Sequence, residues 1–320
     1  MRRAAGSAKN LVRGIGDDCA VFATPSRPKA GRAGDPGFAG DDLLVTTDLS
    51  IEGVHFRRDW HPAESVGWRC IARGLSDIAA MGGNPTAAFL SLGVRATTPQ
   101  RWVDGFMRGF LRLAKKHHVA LAGGDTASSP KAIVADIVVV GRAPRGRAIL
   151  RSGAKPGDQI YVTGEPGRAA DVLARLRSGE KLDAKRAEFA PHFFPQPRIA
   201  VGRILREKKI ATAMIDLSDG ISSDLAHICE ESGVAAVVRE KALSRNPKYS
   251  LHGGEDYELL FTAAASTRVP ARIAGVEVTH IGEIARRQSQ AYPMMLIGRG
   301  GAHEELKREG WEHFRRGKKR

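Results

Sequence analysis

Short apolar runs alternate along the chain with longer segments in which apolar residues recur every third or fourth position. The longer segments, at residues 62–81 and 98–118, have the spacing of amphipathic helices. The short runs are bounded by glycine, proline or acidic residues, as strands usually are. The predicted strands cover residues 43–48, 86–94, 133–141, 159–163, 211–215 and 234–238. This mixture predicts an α/β chain.

The length and composition predict two domains. A chain of 320 residues with 42% hydrophobic residues is long enough to form two cores. Residues 153–158 combine glycine, proline and charged residues, which is typical of a turn between domains. The predicted domains are therefore residues 1–150 and residues 151–320. The Gly- and Pro-rich segment at residues 23–42 predicts a long connection between two hairpin strands.

The sequence has none of the marks of a membrane or secreted protein. It contains no apolar run long enough to span a bilayer, and its basic start lacks the apolar stretch of a secretory signal. Cys19, Cys70 and Cys229 lie far apart and form neither a zinc-binding spacing nor a disulfide framework. We therefore expect a cytoplasmic protein without a membrane partner.

The formal net charge of +15 is strongly basic. Part of the excess lies in a terminal run at residues 315–320. Such an excess attracts either nucleic acid or anionic substrates such as ATP. No aromatic residues are interleaved with the run and no nucleic-acid module accompanies it, so we do not expect nucleic acid to be the main partner.

The densest acidic pattern follows the predicted strand at residues 211–215. Asp216, Ser218 and Asp219 stand between this strand and a helical pattern that contains Leu225. Carboxylates at such a junction lie where α/β proteins place ligands, and two of them in one turn favour a bound cation such as Mg²⁺. The alternative is a helix cap with an ordinary turn.

The same combination of glycine, hydroxyl and carboxylate recurs at other predicted strand ends. Each example alone is more simply explained as a turn, but their recurrence favours a shared site for a cation and phosphates, since backbone amides suit phosphate oxygens. The residues concerned are Asp18, Thr46, Thr47, Asp48, Gly124 and Asp125.

Four positions outside these strand ends have open interpretations. Asp77, on a predicted helix, is either a metal ligand or the partner of Arg73 in an intrahelical salt bridge. His55 is either a packed residue or a functional loop residue. Glu255 belongs either to a plain turn or to a substrate contact. Trp311 belongs by default to the core.

Residues 141–147 imitate half of a P-loop. Arg147 and Ala148, however, replace the required Lys-Ser/Thr pair, so a Walker A site is excluded. The arginines remain candidates for binding phosphate. Several carboxylates without a catalytic triad, an activated cysteine or a hydride-cofactor motif fit Mg²⁺-assisted phosphoryl transfer from ATP.

The strings GIGDD, LSDIAAMG, GGDT, DLSDG and GGEDYEL occur in this order. Together they closely resemble the thiamine-monophosphate kinase family over residues 14–314, within the superfamily of aminoimidazole ribonucleotide synthetase and selenophosphate synthetase. The resemblance implies a kinase that moves the γ-phosphoryl group of ATP directly and in line onto thiamine phosphate, giving thiamine diphosphate. It also implies two α/β domains, of which the N-terminal one pairs across a homodimer.

The resemblance further implies roles for individual residues. Family positions for several Mg²⁺ ions match Asp18, Thr46, Thr47, Asp48, Asp77, Asp125, Asp216 and Asp219. Family positions for ATP match Gly124, Asp125, Arg147 and Ser218. Family positions for thiamine phosphate match His55, Glu255 and Trp311, where an indole suits a flat cationic ring.

Two alternatives remain open. One is a sister ATP-dependent enzyme, either a purine-pathway cyclase or a selenophosphate synthetase, and the latter needs a reactive cysteine near the position of Cys19. The other is a basic nucleic-acid-binding protein without catalysis, whose affinity would fall steeply with salt.

Overall fold

The computed structural model describes residues 9–24, 40–243, 246–287 and 293–311. Its first half forms a six-stranded sheet in the order β1-β2-β3-β6-β4-β5, with one parallel pair, β4 and β5. The strands are β1 (Leu11–Arg13), β2 (Ala20–Ala23), β3 (Asp41–Ile51), β4 (Asn84–Val94), β5 (Ala120–Ser128) and β6 (Val134–Pro144). The helices are α1 (Ala63–Ala80) and α2 (Gln100–Lys116). The predicted hairpin between β2 and β3 is confirmed, although residues 25–39 of its connection lie outside the described ranges.

Helices α1 and α2 pack so closely that glycine is required where they meet. A Cβ atom added at Gly67 would lie 1.9 Å from the carbonyl oxygen of Phe106, and one added at Gly109 would lie 1.9 Å from that of Glu64. Behind this contact, α1 lies on the sheet and buries an apolar core that includes Ile71. Gly67 and Gly109, which have no side chain, therefore allow the two helices to approach this closely.

The opposite face of this sheet is not covered by any residue within the described ranges. Leu49 on β3, Phe89 on β4 and Leu121 on β5 are exposed. Every residue of the edge strand β5 is exposed, although the strand contains apolar residues. A sheet with one face packed and an apolar open face is typical of a surface that another protein chain covers.

The second half forms a sheet in the order β14-β13-β9-β12-β7-β10-β8, with β11 paired to β12. Of these pairs, β9 with β13 is parallel and the others are antiparallel. The strands are β7 (Gln159–Thr163), β8 (Ala213–Asp216), β9 (Ala235–Arg239), β10 (Leu259–Ala263), β11 (Arg272–Ile273), β12 (Val276–Ala285), β13 (Met294–Ile297) and β14 (His303–Glu305). The helices are α3 (Arg168–Arg177), α4 (Ala190–Phe193), α5 (Ile199–Glu207), α6 (Ile221–Ser232) and α7 (Pro247–His252).

Helix α1 also joins the two halves. It contacts α5 and β8 of the second half as well as the first sheet. Its contact with α5 is again close, because a Cβ atom at Gly202 would lie 2.0 Å from the carbonyl oxygen of Ala79. Helix α1 is therefore buried between the two sheets, and polar groups on it are held at the junction.

The predicted two-domain α/β architecture is confirmed, with both sheets largely antiparallel. The predicted boundary between residues 150 and 151 stays a prediction. Within the described ranges, no helix combines the length and the apolar character needed to cross a bilayer.

Candidate functional site

Three carboxylates from distant parts of the chain converge at this junction. Asp18 lies just before β2, Asp77 lies in the last turns of α1, and Asp216 ends β8. One carboxylate oxygen from each lies within 4.8 Å of the others. Asp18 and Asp216 are buried and Asp77 is partly buried. We call these three residues the acidic cluster.

Neighbouring side chains fix the orientation of each carboxylate. The Ser76 hydroxyl donates a hydrogen bond to Oδ2 of Asp216 (2.6 Å), and the Thr46 hydroxyl donates one to Oδ2 of Asp77. The guanidinium of Arg151 donates to Oδ1 of Asp18 (2.8 Å). Among the residues that the structure describes, Arg151 is thus the cation that contacts a carboxylate of this cluster directly.

Burial and mutual repulsion make the cluster costly to ionise. Burial and the charge of Asp18 raise the pKa of Asp216 to about 7, against the opposing effects of Ser76 and Arg151. Burial and the charge of Asp216 also raise the pKa of Asp77 well above its usual range. The raised pKa values of Asp77 and Asp216 therefore favour either protonation or binding of a cation at these two carboxyl groups.

The donor set suits Mg²⁺. Its atoms are all oxygens, their charges have one sign, and they come from three elements that hold them in place. Magnesium prefers oxygen ligands, and it usually takes one or two carboxylates together with substrate phosphates. The acidic cluster can therefore hold such an ion while leaving coordination positions for phosphate.

Asp48 lies beside the acidic cluster. The alternative in which Asp77 forms an intrahelical salt bridge with Arg73 is wrong. Arg73 donates to Oδ1 of Asp48 (3.4 Å) and to Oε1 of Glu255 (2.6 Å), whereas Asp77 accepts its hydrogen bond from Thr46. The reason is that the Arg73 side chain extends to β3 and to a distant loop instead of along its own helix. Burial raises the pKa of Asp48, while the Arg73 guanidinium opposes the shift.

Thr47 and Asp125 lie on the open face of the first sheet, away from the cluster. The strand register aligns Leu49, Asp136, Ser91 and Asp125 across four neighbouring strands. Thr47 donates to Oδ1 of Asp136 (3.0 Å) on the same face. The structure therefore does not bring these two predicted ligands to Asp18, Asp77 and Asp216.

Two strand ends that the sequence predicted, at Asp48 and at Asp125, are wrong. Strand β3 continues beyond Asp48 to Ile51, and β5 continues beyond Asp125 to Ser128. Both acids thus lie inside strands and not at their tips. Gly124 precedes Asp125 with φ of 150°, and a Cβ atom there would lie 1.8 Å from the carbonyl oxygen of Leu90, so only glycine fits.

The loop between β8 and α6 has the predicted strand–turn–helix form. Asp224, inside α6, accepts hydrogen bonds from the backbone N–H groups of Asp219 (3.1 Å) and Gly220 (2.9 Å). Ser218 and Asp219 are only partly buried, next to the buried Asp216. The loop is therefore held by its own helix while part of it stays open to solvent.

Trp311 lies against this loop, and its default placement in the core is wrong. Its backbone N–H donates to the carbonyl oxygen of Asp219 (3.2 Å), while the residue as a whole is 45% exposed. The backbone at Gly310 approaches Asp219 and Ser223 so closely that a side chain there would collide. These backbone contacts therefore hold Gly310 and Trp311 against the acidic loop.

Glu255 and His55 meet through Arg69. Arg69 donates to Oε2 of Glu255 (2.6 Å) and to the carbonyl oxygen of His55 (3.2 Å). Burial alone would raise the pKa of Glu255, but the guanidinium groups of Arg69 and Arg73 hold it well below its usual value. Nδ1 of His55 accepts from the N–H of Ile51 (3.0 Å), which leaves a proton on Nε2. A narrow recess here is lined by Ser50, His55, Phe56, Val66, Arg69 and Arg73.

Arg147 lies at an exposed turn outside the cluster. Its N–H donates to the carbonyl oxygen of Pro144 (2.9 Å), and the neighbouring Gly146 donates its N–H to Oδ2 of Asp42 (2.7 Å). The turn is therefore anchored to the start of β3 while the Arg147 side chain is exposed.

Sequence reasoning missed several residues that hold the site together. Ser76 lies inside the string LSDIAAMG, whereas Arg69 and Arg151 lie outside the strings that carry the resemblance. The partners of all three residues are distant in the chain. No local spacing reveals such pairs. Cys19, by contrast, is 1% exposed, and burial raises the pKa of its thiol well above the usual value, which disfavours the thiolate that a selenophosphate synthetase needs.

Comparison with known proteins extends the likeness over the whole chain. Residues 16–143 match the family AIR synthase related protein, N-terminal domain, and residues 155–295 match the corresponding C-terminal domain. The thiamine-monophosphate kinase of Salmonella typhimurium is 36% identical over 332 residues, covering 98% of this chain and 95% of the relative.

Two solved structures have the same fold. The thiamine-monophosphate kinase from Stenotrophomonas maltophilia K279a has a TM-score of 0.73 at 33% identity, covering 92% of this chain and 93% of the other. AaThiL complexed with AMPPCP and TMP has a TM-score of 0.77 at 29% identity, covering 96% of this chain and 93% of the other. Both matches therefore extend over nearly all of each chain.

The two family matches also include the acidic cluster. Asp18 and Asp77 lie in the N-terminal match, and Asp216 lies in the C-terminal one. A likeness confined to one sheet would omit part of the cluster, whereas the full-length relatives span it. The chain belongs to the thiamine-monophosphate kinase family, within the AIR synthase related proteins.

Proposed function

We propose that this chain transfers the γ-phosphoryl group of ATP to thiamine phosphate and releases thiamine diphosphate and ADP. The observation that carries the proposal is the acidic cluster, built from both halves of a chain that matches thiamine-monophosphate kinases from end to end. A neighbour of the same fold binds AMPPCP and TMP. Family membership indicates the identity of the substrate. The acidic cluster provides a binding site for the metal ion that phosphoryl transfer requires.

In this proposal Asp18, Asp77 and Asp216 hold Mg²⁺. A cation held by these residues would supply neutralisation of the charge on the phosphates during in-line displacement. Ser76 and Thr46 keep two of the carboxylates in fixed orientations, so little reorganisation is needed when the cation binds. Arg151 balances Asp18 and limits the repulsion within the cluster.

The remaining assignments follow from the family resemblance. Further metal contacts at the acidic cluster are proposed for Thr46, Asp48 and Asp219. Thr47 and Asp125 lie on the open face of the first sheet, so they are proposed as contacts of a separate ion. Contacts to ATP are proposed for Gly124, Asp125, Arg147 and Ser218. Contacts to thiamine phosphate are proposed for His55, Glu255 and Trp311, of which Trp311 adjoins the loop of Asp219 through its backbone.

Turnover is the direct test of the proposed function. Purified protein supplied with Mg²⁺, ATP and thiamine phosphate is expected to form thiamine diphosphate and ADP in equal amounts, measured by chromatography. Unphosphorylated thiamine, formylglycinamidine ribonucleotide and selenide serve as competing substrates for the sister activities. Absence of thiamine diphosphate, or faster ADP release with one of the other substrates, would refute the proposal.

We also propose that the chain forms a homodimer through the open face of its first sheet. Leu49, Phe89 and Leu121 are exposed there, and β5 is the outermost of the described strands, with an edge that a second copy can cover. Light scattering is expected to give twice the chain mass of 34.4 kDa. Leu121→Glu should yield monomer, whereas Leu111→Glu, at an exposed position on α2, should not. A monomeric wild-type protein would contradict the proposal.

The proposed setting is the cytoplasm. Cys19, Cys70 and Cys229 are buried and unpaired, as reducing conditions permit. We attribute the charge of +15 partly to the attraction of anionic substrates. The basic run at residues 315–320 lies outside the described ranges. The nucleic-acid alternative predicts salt-sensitive RNA or DNA affinity without turnover, so the turnover assay also separates it from the kinase.

A further inference from the structure

Two arginines from one helix clamp a single carboxylate. Arg69 and Arg73 are one turn apart on α1, and each donates to a different oxygen of Glu255 at 2.6 Å. Both are well buried, with 3% and 7% of their surface exposed. Charge-assisted contacts of this kind are strong, and neither oxygen of Glu255 is left without a cation.

The two arginines differ in what else they hold. Arg69 also donates to the carbonyl oxygens of His192 (2.8 Å) and His55 (3.2 Å). These contacts lie on the side of the site that is proposed to bind thiamine phosphate. Arg73 instead reaches β3, where it donates to the carbonyl oxygen of Leu49 (3.1 Å) and to Oδ1 of Asp48 (3.4 Å). Of the two, only Arg73 joins Glu255 to Asp48.

Asp48 lies beside the acidic cluster. It is two residues after Thr46 on β3, and the Thr46 hydroxyl donates to Oδ2 of Asp77. The contact between Arg73 and Asp48 is the longest of the carboxylate contacts that these arginines make. Arg73 therefore contacts Glu255 closely and Asp48 more weakly. A change in charge beside either carboxylate can shift the guanidinium from one to the other.

The loop that contains Glu255 is also held in a strained shape. Glu255 and Tyr257 have positive φ angles of 66° and 52°, which are uncommon for residues with side chains. The N–H of Glu255 donates to the carbonyl oxygen of Ser218 (2.8 Å), and that of Tyr257 donates to Leu217 (3.0 Å). The loop is therefore tied to the segment that follows Asp216, so its position and that of the cluster are linked.

We propose that Arg73 is a positioning residue that couples the binding of thiamine phosphate to the binding of Mg²⁺. While Arg73 contacts Asp48, it competes with a cation for that carboxylate. A phosphate that enters on the side of Glu255 attracts the guanidinium and releases Asp48 to the cation. Thiamine phosphate therefore strengthens Mg²⁺ binding, and by thermodynamic linkage Mg²⁺ strengthens thiamine phosphate binding to the same extent.

The test measures binding without ATP, so that no turnover occurs. Calorimetric titration of Mg²⁺ into EDTA-stripped protein, with and without saturating thiamine phosphate, is expected to give about tenfold tighter binding with the acceptor. The Arg73→Lys variant should lose this difference, because an ammonium is a single point donor that cannot span both carboxylates. The matched Arg69→Lys variant should bind thiamine phosphate more weakly but keep the difference.

The possible results separate this inference from the proposed function on which it rests. If wild-type protein binds no thiamine phosphate, the proposed function falls. If it binds and Arg73→Lys keeps the full difference, the phosphate acts on the cation directly and the role of Arg73 is refuted. Glu255→Gln provides a second variant should Arg73→Lys unfold. It removes the negative charge that draws the Arg73 guanidinium toward the side where the phosphate enters, so it should also reduce the difference.

Discussion

Asp216→Asn is expected to lower kcat by about 1000-fold, because it removes one of the three charged ligands from the acidic cluster. Asparagine keeps the shape of the side chain and an oxygen that accepts from Ser76, so the local hydrogen bond survives. What is lost is the negative charge that balances Mg²⁺. Steady-state kinetics with saturating ATP and thiamine phosphate measure the change.

The folded state should tolerate this substitution. Asp216 is buried and repelled by Asp18, and this raises its pKa to about 7, so ionised Asp216 destabilises the metal-free protein. Asp216→Asn removes that cost, and the metal-free variant should unfold at the same or a higher temperature than wild type at pH 8. Below about pH 4 the wild-type carboxyl is protonated both folded and unfolded, so the advantage of the variant disappears.

Asp158→Asn is the matched control for Asp216→Asn. Asp158 is equally buried, and its Oδ2 accepts from the N–H of Lys155 (3.0 Å) and from the hydroxyl of Thr212 (2.7 Å), outside the acidic cluster. This control should leave kcat unchanged. Equal losses in both variants would indicate a general effect of removing a buried charge, and near-normal turnover of Asp216→Asn would exclude Asp216 from the metal site.

Gly109→Ala is expected to reduce the free energy of unfolding by about 3 kcal/mol or more, since overpacking of this kind is relieved only by moving backbone. The new methyl group would lie 1.9 Å from the carbonyl oxygen of Glu64, which belongs to α1 and cannot rotate away as a flexible side chain would. Helices α1 and α2 must separate, and their shared core loosens. Chemical denaturation measures the loss.

The exposed Gly300 provides the control for this helix contact. A Cβ atom at Gly300 meets nothing within 4 Å, so Gly300→Ala should change the stability little. Because α1 also holds Ser76 and Asp77, Gly109→Ala should reduce Mg²⁺ binding along with stability. A variant of normal stability would mean that the helices adjust their separation without cost.

Local patterns predicted local structure well. The strand, acidic turn and helix around Asp216 were readable because an apolar run, a Ser-Asp-Gly turn and a helical period follow one another directly. The helix at α1 was readable for the same reason, and its observed bounds differ from the predicted ones by one residue at each end. The two-domain α/β architecture followed from the same alternation.

The local sequence pattern could not predict which residues from distant parts of the chain come together. Asp125 and Asp216 look alike in the sequence because each follows a short apolar run, yet β5 is an exposed edge strand and β8 is buried against α1. Arg73 and Asp77 have ideal helical spacing for a salt bridge, yet Arg73 binds Glu255, far along the chain. The spacing of residues along one helix or strand shows which side chains on that element are neighbours. It does not show which side chains of other elements pack against them.

The division of the acidic cluster between the two halves has a consequence for biosynthesis. Asp18 and Asp77 leave the ribosome long before Asp216, and Asp216 reaches them only when β8 docks against α1. A chain in which only the earlier half has folded therefore presents an incomplete set of ligands. Cation affinity should arise late, so that magnesium is retained by finished molecules and not by nascent ones.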